Sequence, residues 1–215
     1  VSEIQESFEV TEKNWKEITR SSYDNNAKEF ATFTTVFRGK LRKWIDYFSM
    51  QLPKGSLVFD VGCGAGRDAS YLVNKGLSIT GIDFSEKLIE IAKKKVKSGK
   101  FLVMDFEKLS FPKNSFDGIW ASASLYHIPR ENLLNVLKKL NLVLKNGGLF
   151  FSLYRVGEGE RFTEEKRGNA ILARFCAYYK PQEIENLLNK AGFNDIKSEL
   201  DLIETGDWLG VFARK

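Results

Sequence analysis

Three glycines at alternate positions separate an apolar segment from a segment with helical character. The run is Asp60-Val61-Gly62-Cys63-Gly64-Ala65-Gly66, so a carboxylate stands two positions before the first glycine. Glycine has no Cβ atom, which permits a tight turn and lets a ligand approach the main chain closely. The unpaired N–H groups at the start of the following helix can bind a carboxylate or a phosphate. The segment therefore predicts a binding site rather than an ordinary turn.

Carboxylates at the ends of three predicted strands indicate which ligand this site prefers. Asp83 and Asp105 end the two apolar segments that follow Asp60 in the chain. Dinucleotide-binding folds favour Gly-x-Gly-x-x-Gly, whereas this chain has Gly-x-Gly-x-Gly. A carboxylate at position 60 would repel a pyrophosphate and would attract a ligand that carries an amino group. A nicotinamide dinucleotide stays as the alternative at the level of the fold.

The order of the elements predicts the fold that positions these residues. Apolar segments alternate with helical ones from residue 56 to residue 154. This alternation is typical of parallel strands joined by right-handed helical crossovers. Residues 194–204 and 207–215 flank the turn "TGD" and predict an antiparallel hairpin. We therefore predict an α/β protein with a Rossmann-like, mostly parallel sheet closed by an antiparallel pair.

Two regions depart from this alternation. Residues 1–49 are polar with scattered aromatic side chains, which predicts two or three short amphipathic helices. Residues 155–169 are charged and glycine-rich without an apolar period, which predicts a mobile loop. We expect residues 1–215 to form a single domain, in which the N-terminal helices cap a core of residues 50–215. A lid-like insertion is expected near residues 155–180.

Composition limits the class of protein. The 43% hydrophobic and 28% charged residues are typical of a globular chain, and the net charge of +5 permits an anionic partner without requiring one. Two distant cysteines and one histidine make a disulfide framework or a metal site improbable. No apolar run reaches the about 18 residues of a membrane span. We expect a cytoplasmic protein that uses no metal and has no membrane partner.

The motifs, taken in this order, resemble those of the class I methyltransferases that use S-adenosylmethionine. They look most like the small bacterial-type members of types 11 and 25, including the tellurite-resistance-like proteins, which act on compounds other than DNA. The resemblance implies helices on both faces of a seven-stranded sheet whose last strand is antiparallel. The motifs that carry it are "FDVGCGAGR", "GIDFS", "MDFEKLSFPKNSFDGIW", "LKNGGLFFS" and "YYKPQEIENLLNKAGF".

The resemblance also implies roles for particular residues in cofactor binding. The main chain around Asp60 holds the methionine end of the cofactor, and Asp83 accepts hydrogen bonds from both ribose hydroxyls. Phe84 packs on the adenine, and Asp105 faces the adenine amino group with help from the N–H of Phe106. The residues expected to contact S-adenosylmethionine are Tyr23, Asp60, Gly62, Cys63, Gly64, Gly66, Asp83, Phe84, Asp105, Phe106 and Ser122.

Candidates for catalysis and for the methyl acceptor follow the fourth and fifth strands. Methyl transfer from a sulfonium requires alignment of two centres, and a base only when the nucleophile carries a proton of high pKa. Tyr126 and His127 are the catalytic candidates, although in similar proteins residues at this loop also serve only to line the pocket. Tyr154 and Arg155 are candidates for contact with an anionic substrate. Further aromatic candidates for the floor of the acceptor pocket are Phe175, Tyr178 and Tyr179.

The resemblance favours a small-molecule acceptor. Members that methylate DNA or protein glutamine carry Asn/Asp-Pro-Pro-Tyr, where this chain has Ala121-Ser122-Ala123-Ser124. A tRNA nucleoside is the second candidate acceptor, consistent with a pI near 9.0. The lysines of residues 93–100 are interpreted as a solvated helix face rather than a nucleic-acid site. A cofactor-binding protein without transfer activity is a third possibility for the chain, and an NAD-dependent oxidoreductase ranks last.

Overall fold

The structure, a computed structural model, describes residues 15–202 and 206–215. Residues 1–14 of the expected cap and Thr205 of the expected turn lie outside the described residues. The helices are α1 (Trp15–Asn25), α2 (Ala27–Phe33), α3 (Leu41–Met50), α4 (Arg67–Asn74), α5 (Glu86–Lys95), α6 (Arg130–Val143) and α7 (Pro181–Lys190). The strands are β1 (Leu57–Val61), β2 (Ser78–Asp83), β3 (Lys100–Val103), β4 (Phe116–Ala121), β5 (Leu144–Val156), β6 (Glu160–Arg167), β7 (Ala170–Tyr179), β8 (Asn194–Asp201) and β9 (Trp208–Arg214).

Seven of these strands form the sheet that the sequence predicts. The order β3-β2-β1-β4-β5 is parallel throughout, β9 pairs with β5 in antiparallel register, and β8 pairs with β9. β1 lies between β2 and β4. The strands β2 and β3 follow on one side of β1, and the chain then crosses over to place β4 and β5 on the other side. In open α/β sheets, ligands bind beyond the carboxyl ends of the strands at such a switch point.

Apolar side chains on both faces of the sheet hold the helices in place. One core cluster joins the sheet to α6 and α7, and a second joins it to α3, α4 and α5. Central parallel strands are covered on both sides, which explains why β1 and β4 read as continuous apolar segments. Local signals agree with the boundaries: the Ser85 hydroxyl accepts from the Leu88 N–H at the start of α5, and Pro181 opens α7.

The prediction of a mobile loop at residues 155–169 is wrong. β5 continues to Val156, and β6 then pairs with β7 in antiparallel register from Glu160–Ala177 to Arg167–Ala170. The charged segment carries no apolar period because its hydrogen-bonding partner, β7, supplies the apolar side chains of the hairpin. β7 also pairs with the end of β5 at residues 155 and 156.

The N-terminal segment contains short helices, as predicted. α1 lies against β7, where the Thr19 hydroxyl accepts from the Phe175 N–H at 3.0 Å and the Trp15 ring lies 5.6 Å from the Phe175 ring. Tyr23 and Ala27 belong to a small apolar cluster that includes residues of α5 and β7. These contacts hold α1 and the hairpin together over the carboxyl ends of the strands. Within the described ranges, the helices are too short or too polar to cross a membrane.

Candidate functional site

A cavity of about 190 Å³ lies at the carboxyl ends of β1, β2 and β4. The glycine turn after β1 forms its floor, and residues of α1 and α2 cover it. Of the residues expected to contact the cofactor, Gly66 and Asp105 do not border this cavity. Those that do are Tyr23, Asp60, Gly62, Cys63, Gly64, Asp83, Phe84, Phe106 and Ser122.

The glycines of the turn are needed for different structural reasons. All three have left-handed backbones, with φ of 73° at Gly62, 52° at Gly64 and 77° at Gly66. A Cβ atom on Gly62 would lie 2.3 Å from the Cβ of Ser124, so this position is closed to a side chain. A Cβ on Gly64 would meet only the Phe30 ring, at 3.6 Å, within the lining of the cavity. Gly62 therefore serves packing, and Gly64 keeps the main chain open to a ligand.

Asp60 places an unsatisfied carboxylate oxygen at this turn. The residue is 2% exposed, and its Oδ2 atom has no hydrogen-bond partner among the described residues. Burial raises the pKa of Asp60 well above its usual range; the charges of Asp68 and Asp83 act in the same direction, and Arg67 opposes them. Buried polar atoms normally have partners, and Asp60 borders the cavity, so this oxygen can accept from a donor that a ligand supplies. The amino group of S-adenosylmethionine fits this requirement.

Asp83, at the end of β2, links the turn to the next strand. Its Oδ2 accepts from the Gly64 N–H and its Oδ1 from the Ser85 N–H, both at 2.9 Å. Burial raises its pKa to about 6, while these N–H donors act in the opposite direction. Each carboxylate oxygen has a further lone pair, so the group can also accept from a pair of ribose hydroxyls. The Phe84 and Phe106 rings, 6.0 Å apart, give this end an apolar surface.

The raised pKa of Asp83 predicts a loss of stability as the pH rises. The pKa of this carboxyl is 3.8 in an unfolded chain and about 6 in the folded one. The protonated carboxyl therefore contributes its full stabilisation of the fold below about pH 4, and this stabilisation is lost between about pH 4 and pH 6. We expect the free energy of unfolding of the wild type, relative to Asp83→Asn, to fall by on the order of 3 kcal/mol across this window. Urea unfolding of both proteins at about pH 4 and pH 7 measures it; a constant difference would contradict the raised pKa.

Gly66 and Asp105 lie beside the cavity. Gly66 precedes α4, and a Cβ there would approach Ala92 of α5 at 3.2 Å, so this glycine allows two helices to pack closely. The Asp105 carboxylate forms an ion pair of 2.6 Å with Lys16 of α1 and accepts from the Glu107 N–H at the start of a single 3-10 turn. It borders a second, shallower groove on the outer side of Phe84.

Tyr126 and His127, which follow β4, meet residues of α1 and β7 inside the cavity. The His127 Nδ1 atom is 2.6 Å from the Phe175 carbonyl oxygen, which can only accept, so Nδ1 carries the proton. The Nε2 atom then accepts from the Tyr23 hydroxyl at 3.0 Å. Arg174 Nη1 in turn donates to the Tyr23 oxygen at 2.9 Å. A chain of hydrogen bonds therefore joins β7, α1 and the loop after β4.

This arrangement keeps both candidate catalytic side chains neutral. Burial lowers the pKa of His127 to about 3, and the positive charge of Arg174 acts in the same direction. Its Nε2 lone pair is already engaged by Tyr23, so it cannot take a proton from a ligand in this conformation. For Tyr126, burial instead raises the pKa, so its hydroxyl keeps its proton.

The structure does not bring the expected acceptor-side residues to the cavity. Tyr154 and Tyr179 are fully buried under the helices, with ring centroids 5.7 Å apart. Tyr178 lies on the hairpin, and Arg155 lies with its guanidinium 4.2 Å from the centre of the Trp208 ring. Side chains alternate along β5 and β7, so many of the aromatic ones enter the core. None of these residues borders the cavity: Tyr154, Arg155, Phe175, Tyr178, Tyr179.

Arg174 and Trp208 border the cavity and were missed by the sequence reasoning. Arg174 stands alone in the apolar segment "AILARFCAYY", residues 170–179. A single cation in a segment that will be buried needs a partner, and this signal was present in the sequence. Trp208 could not be distinguished from a core residue, because an aromatic side chain at the start of a strand carries no positional information of its own.

Comparison with known proteins shows that the chain is similar to methyltransferases. A family model described as a methyltransferase domain matches residues 59–152. Methyltransferase GfsG of Streptomyces halstedii is 30% identical over 168 residues, which cover 75% of this chain and 58% of that protein. Demethylmenaquinone methyltransferase of Staphylococcus epidermidis is 26% identical over 211 residues, which cover 84% of this chain and 87% of that protein. The chain thus spans little more than half the length of GfsG.

The fold is also that of a solved methyltransferase. The structure of Burkholderia thailandensis 1,6-didemethyltoxoflavin-N1-methyltransferase matches with a TM-score of 0.72 at 19% identity, over 93% of this chain and 88% of that one. That structure contains 1,6-didemethyltoxoflavin and S-adenosylhomocysteine. The order of the motifs, the sheet topology and these similarities agree in supporting a class I methyltransferase that uses S-adenosylmethionine.

Proposed function

We propose that this chain transfers a methyl group from S-adenosylmethionine to a small-molecule acceptor. The observation that carries the proposal is the buried Asp60 oxygen without a partner among the described residues, beside a glycine turn whose main chain is open to a ligand. When bound, the cofactor supplies a methyl group on a sulfonium whose leaving group is a neutral thioether. The residues of the chain bind and orient the two reactants.

In this proposal Asp60 accepts from the amino group of the cofactor, and Asp83 accepts from its ribose hydroxyls. Phe84 and Phe106, which border the cavity next to Asp83, contact the adenine. Asp105 lies outside the cavity and is held by Lys16, so it would contact the adenine amino group only from the outer groove.

The described helices of the cap and the hairpin are proposed to form a lid. Residues 1–49 would cap a core of residues 50–215 within a single domain, and β6 and β7 would complete the lid. The hydrogen bonds from Arg174 to Tyr23 and from Tyr23 to His127 join three separate segments over the cavity. A closed lid excludes water and aligns the reactants.

Catalysis is proposed to rest on alignment rather than on a base. His127 is neutral and its Nε2 atom is engaged, so its part here is to orient Tyr23. Good alignment of two reacting centres supplies about 7–11 kcal/mol of the barrier reduction.

The helices that lie over the cavity favour a small acceptor over a tRNA nucleoside. Tyr23 of α1 and Phe30 of α2 lie over the glycine turn, so a nucleoside within a folded RNA would have to displace these helices. The test is a methyl-donor turnover assay with a metabolite library and with bulk tRNA, read as release of S-adenosylhomocysteine. We expect release with a small molecule. Release with tRNA alone would favour the nucleoside alternative, and cofactor binding without release from any acceptor would favour a binding protein.

Asp60→Asn tests the carboxylate directly. We expect the affinity for S-adenosylmethionine to fall about three- to tenfold, because an amide does not provide a charge-assisted hydrogen bond to the amino group. The affinity for 5′-methylthioadenosine, which lacks the amino acid part, should not change. Because the pKa of Asp60 is raised, cofactor binding should also release a proton, and affinity should rise with pH. Calorimetry in two buffers of different ionisation enthalpy measures both quantities.

The matched control is Glu90→Gln on the exposed side of α5, which should leave both affinities unchanged. If Asp60→Asn weakened methylthioadenosine as much as S-adenosylmethionine, the carboxylate would act on the fold of the turn and not on the amino group.

A further inference from the structure

The charges that border the cavity differ between its two ends. Asp83 and Asp60 come from β2 and β1, whereas Arg174 comes from β7, which lies beyond β4 and β5 in the sheet. Trp208 begins β9 and pairs with the end of β5, so it lies on the same side as Arg174. Asp60 and Asp83 therefore line the end assigned to the cofactor, whereas Arg174 lies toward the end that is left for the acceptor, which also holds Asp201, the cross-strand neighbour of Trp208.

Arg174 is a buried cation with one donor to spare. It is 3% exposed, its Nη1 atom donates to the Tyr23 oxygen at 2.9 Å and lies 3.5 Å from the Tyr126 oxygen, and its Nη2 atom is bound to Glu165. The Nε–H group is buried and has no acceptor among the described residues. Because arginine stays protonated, this N–H remains available to an acceptor from outside the chain, and Arg174 borders the cavity that such an acceptor would enter.

Tyr126 presents a further donor to this end, and two carboxylates, Asp201 and Glu165, lie near it. Tyr126 keeps its proton, and its hydroxyl has no acceptor in the described part of the chain. The Asp201 carboxylate, which also borders the cavity, accepts from the Lys40 N–H at 2.7 Å. Glu165 lies on β6 with a quarter of its side chain exposed, so it holds the guanidinium from the outer side.

The other guanidiniums at the cavity are differently placed. Arg67 forms an ion pair of 2.6 Å with Asp68, and Arg38 is exposed with its guanidinium 4.5 Å from the centre of the Phe33 ring. Arg174 is thus the guanidinium that is both buried and left with an unpaired N–H in the described residues.

We propose that Arg174 and Tyr126 bind an anionic oxygen of the methyl acceptor, which is therefore a small acidic molecule such as a carboxylate, a phenolate or an enolate. The proposal rests on the proposed function, since it assigns the acceptor class of the same cavity. Trp208 and Tyr126, with ring centroids 5.7 Å apart, give the site an aromatic wall that favours an anion carried on a ring.

Benzoate and benzamide are suitable probes, because they share one ring and shape and differ in charge. The chain is first saturated with S-adenosylhomocysteine, which calorimetry verifies, and each probe is then titrated by NMR. We expect benzoate to bind at least about tenfold more tightly than benzamide, the factor that a charge-assisted hydrogen bond in a buried site provides. Arg174→Gln, saturated with S-adenosylhomocysteine and verified in the same way, should lose this preference.

Arg161→Gln is the matched control. Arg161 is an exposed arginine of the same hairpin that stacks on Tyr178 and does not border the cavity, so the preference should persist. If Arg174→Gln does not fold, Tyr126→Phe decides: it should weaken benzoate several-fold and leave benzamide unchanged.

Two results would overturn the proposal. The first is that benzoate binds no better than benzamide to the wild type. The second is that the preference persists in Arg174→Gln or is undiminished in Tyr126→Phe. In either case, if S-adenosylhomocysteine still binds, methyl transfer would remain the proposed function, with an acceptor of another class. Failure to bind S-adenosylhomocysteine at all would instead count against the proposed function itself.

Discussion

Asp83→Ala is expected to weaken S-adenosylmethionine binding at least about tenfold. The carboxylate is proposed to accept from two ribose hydroxyls, and a hydrogen bond to a charged group contributes about 1.5–3 kcal/mol. The substitution also removes the acceptor of the Gly64 N–H, which loosens the turn that floors the cavity. Isothermal calorimetry of both proteins measures the change.

The ribose contact can be separated from the effect on the turn. We expect the wild type to bind the 2′-deoxy analogue of S-adenosylhomocysteine more weakly than the parent compound, and Asp83→Ala to bind the two almost equally. A double-mutant cycle of this kind isolates the pairwise term. An unchanged affinity for S-adenosylmethionine in Asp83→Ala would remove Asp83 from the cofactor site.

Gly62→Ala is expected to lower the free energy of unfolding by about 2–5 kcal/mol. A left-handed backbone costs a residue with a Cβ about 1–2 kcal/mol, and forcing an atom into a packed interior costs about 1–3 kcal/mol more. The new methyl group would lie 2.3 Å from the Cβ of Ser124, whose hydroxyl is fixed by a hydrogen bond to the Val61 carbonyl. Urea unfolding measures the loss.

Gly147→Ala is the matched control for this prediction. Gly147 has φ of 74°, almost the value of Gly62, but a Cβ there would have nothing within 4 Å. The control should therefore lose only the backbone cost, about 1–2 kcal/mol. Equal losses in the two variants would show that the contact with Ser124 relaxes freely and that the turn is not closely packed against the loop after β4.

The parallel sheet could be predicted because its signals are local. Each strand is a short apolar run, each helix has its own start or stop residue, and the connections between them are short. The glycine turn and the carboxylate at the end of β2 were recognisable for the same reason, since the motif and the strand that precedes it are contiguous in sequence. Nine of the residues expected at the cofactor site accordingly border one cavity.

The hairpin of β6 and β7 shows where local reasoning failed. The exposed positions of β6 are charged. A strand can be recognised from an alternation of apolar residues only when one face of that strand packs on the core. β6 instead pairs with β7, and β7 carries the apolar side chains. Tyr154 and Tyr179, expected on the acceptor side, are buried in the core because β5 continues past Tyr154 and β7 extends to Tyr179.

By itself, the sequence determined the α/β class, the mostly parallel sheet with its antiparallel pair, and the carboxylates around the glycine turn, because each depends on residues close together in the chain. Only the tertiary structure decided that Arg174 of β7, Tyr23 of α1 and His127 after β4 meet in one hydrogen-bonded chain. These residues are separated by up to 151 positions. Their contact depends on how the lid packs on the sheet, and the energy of that packing is distributed over side chains that no short motif contains.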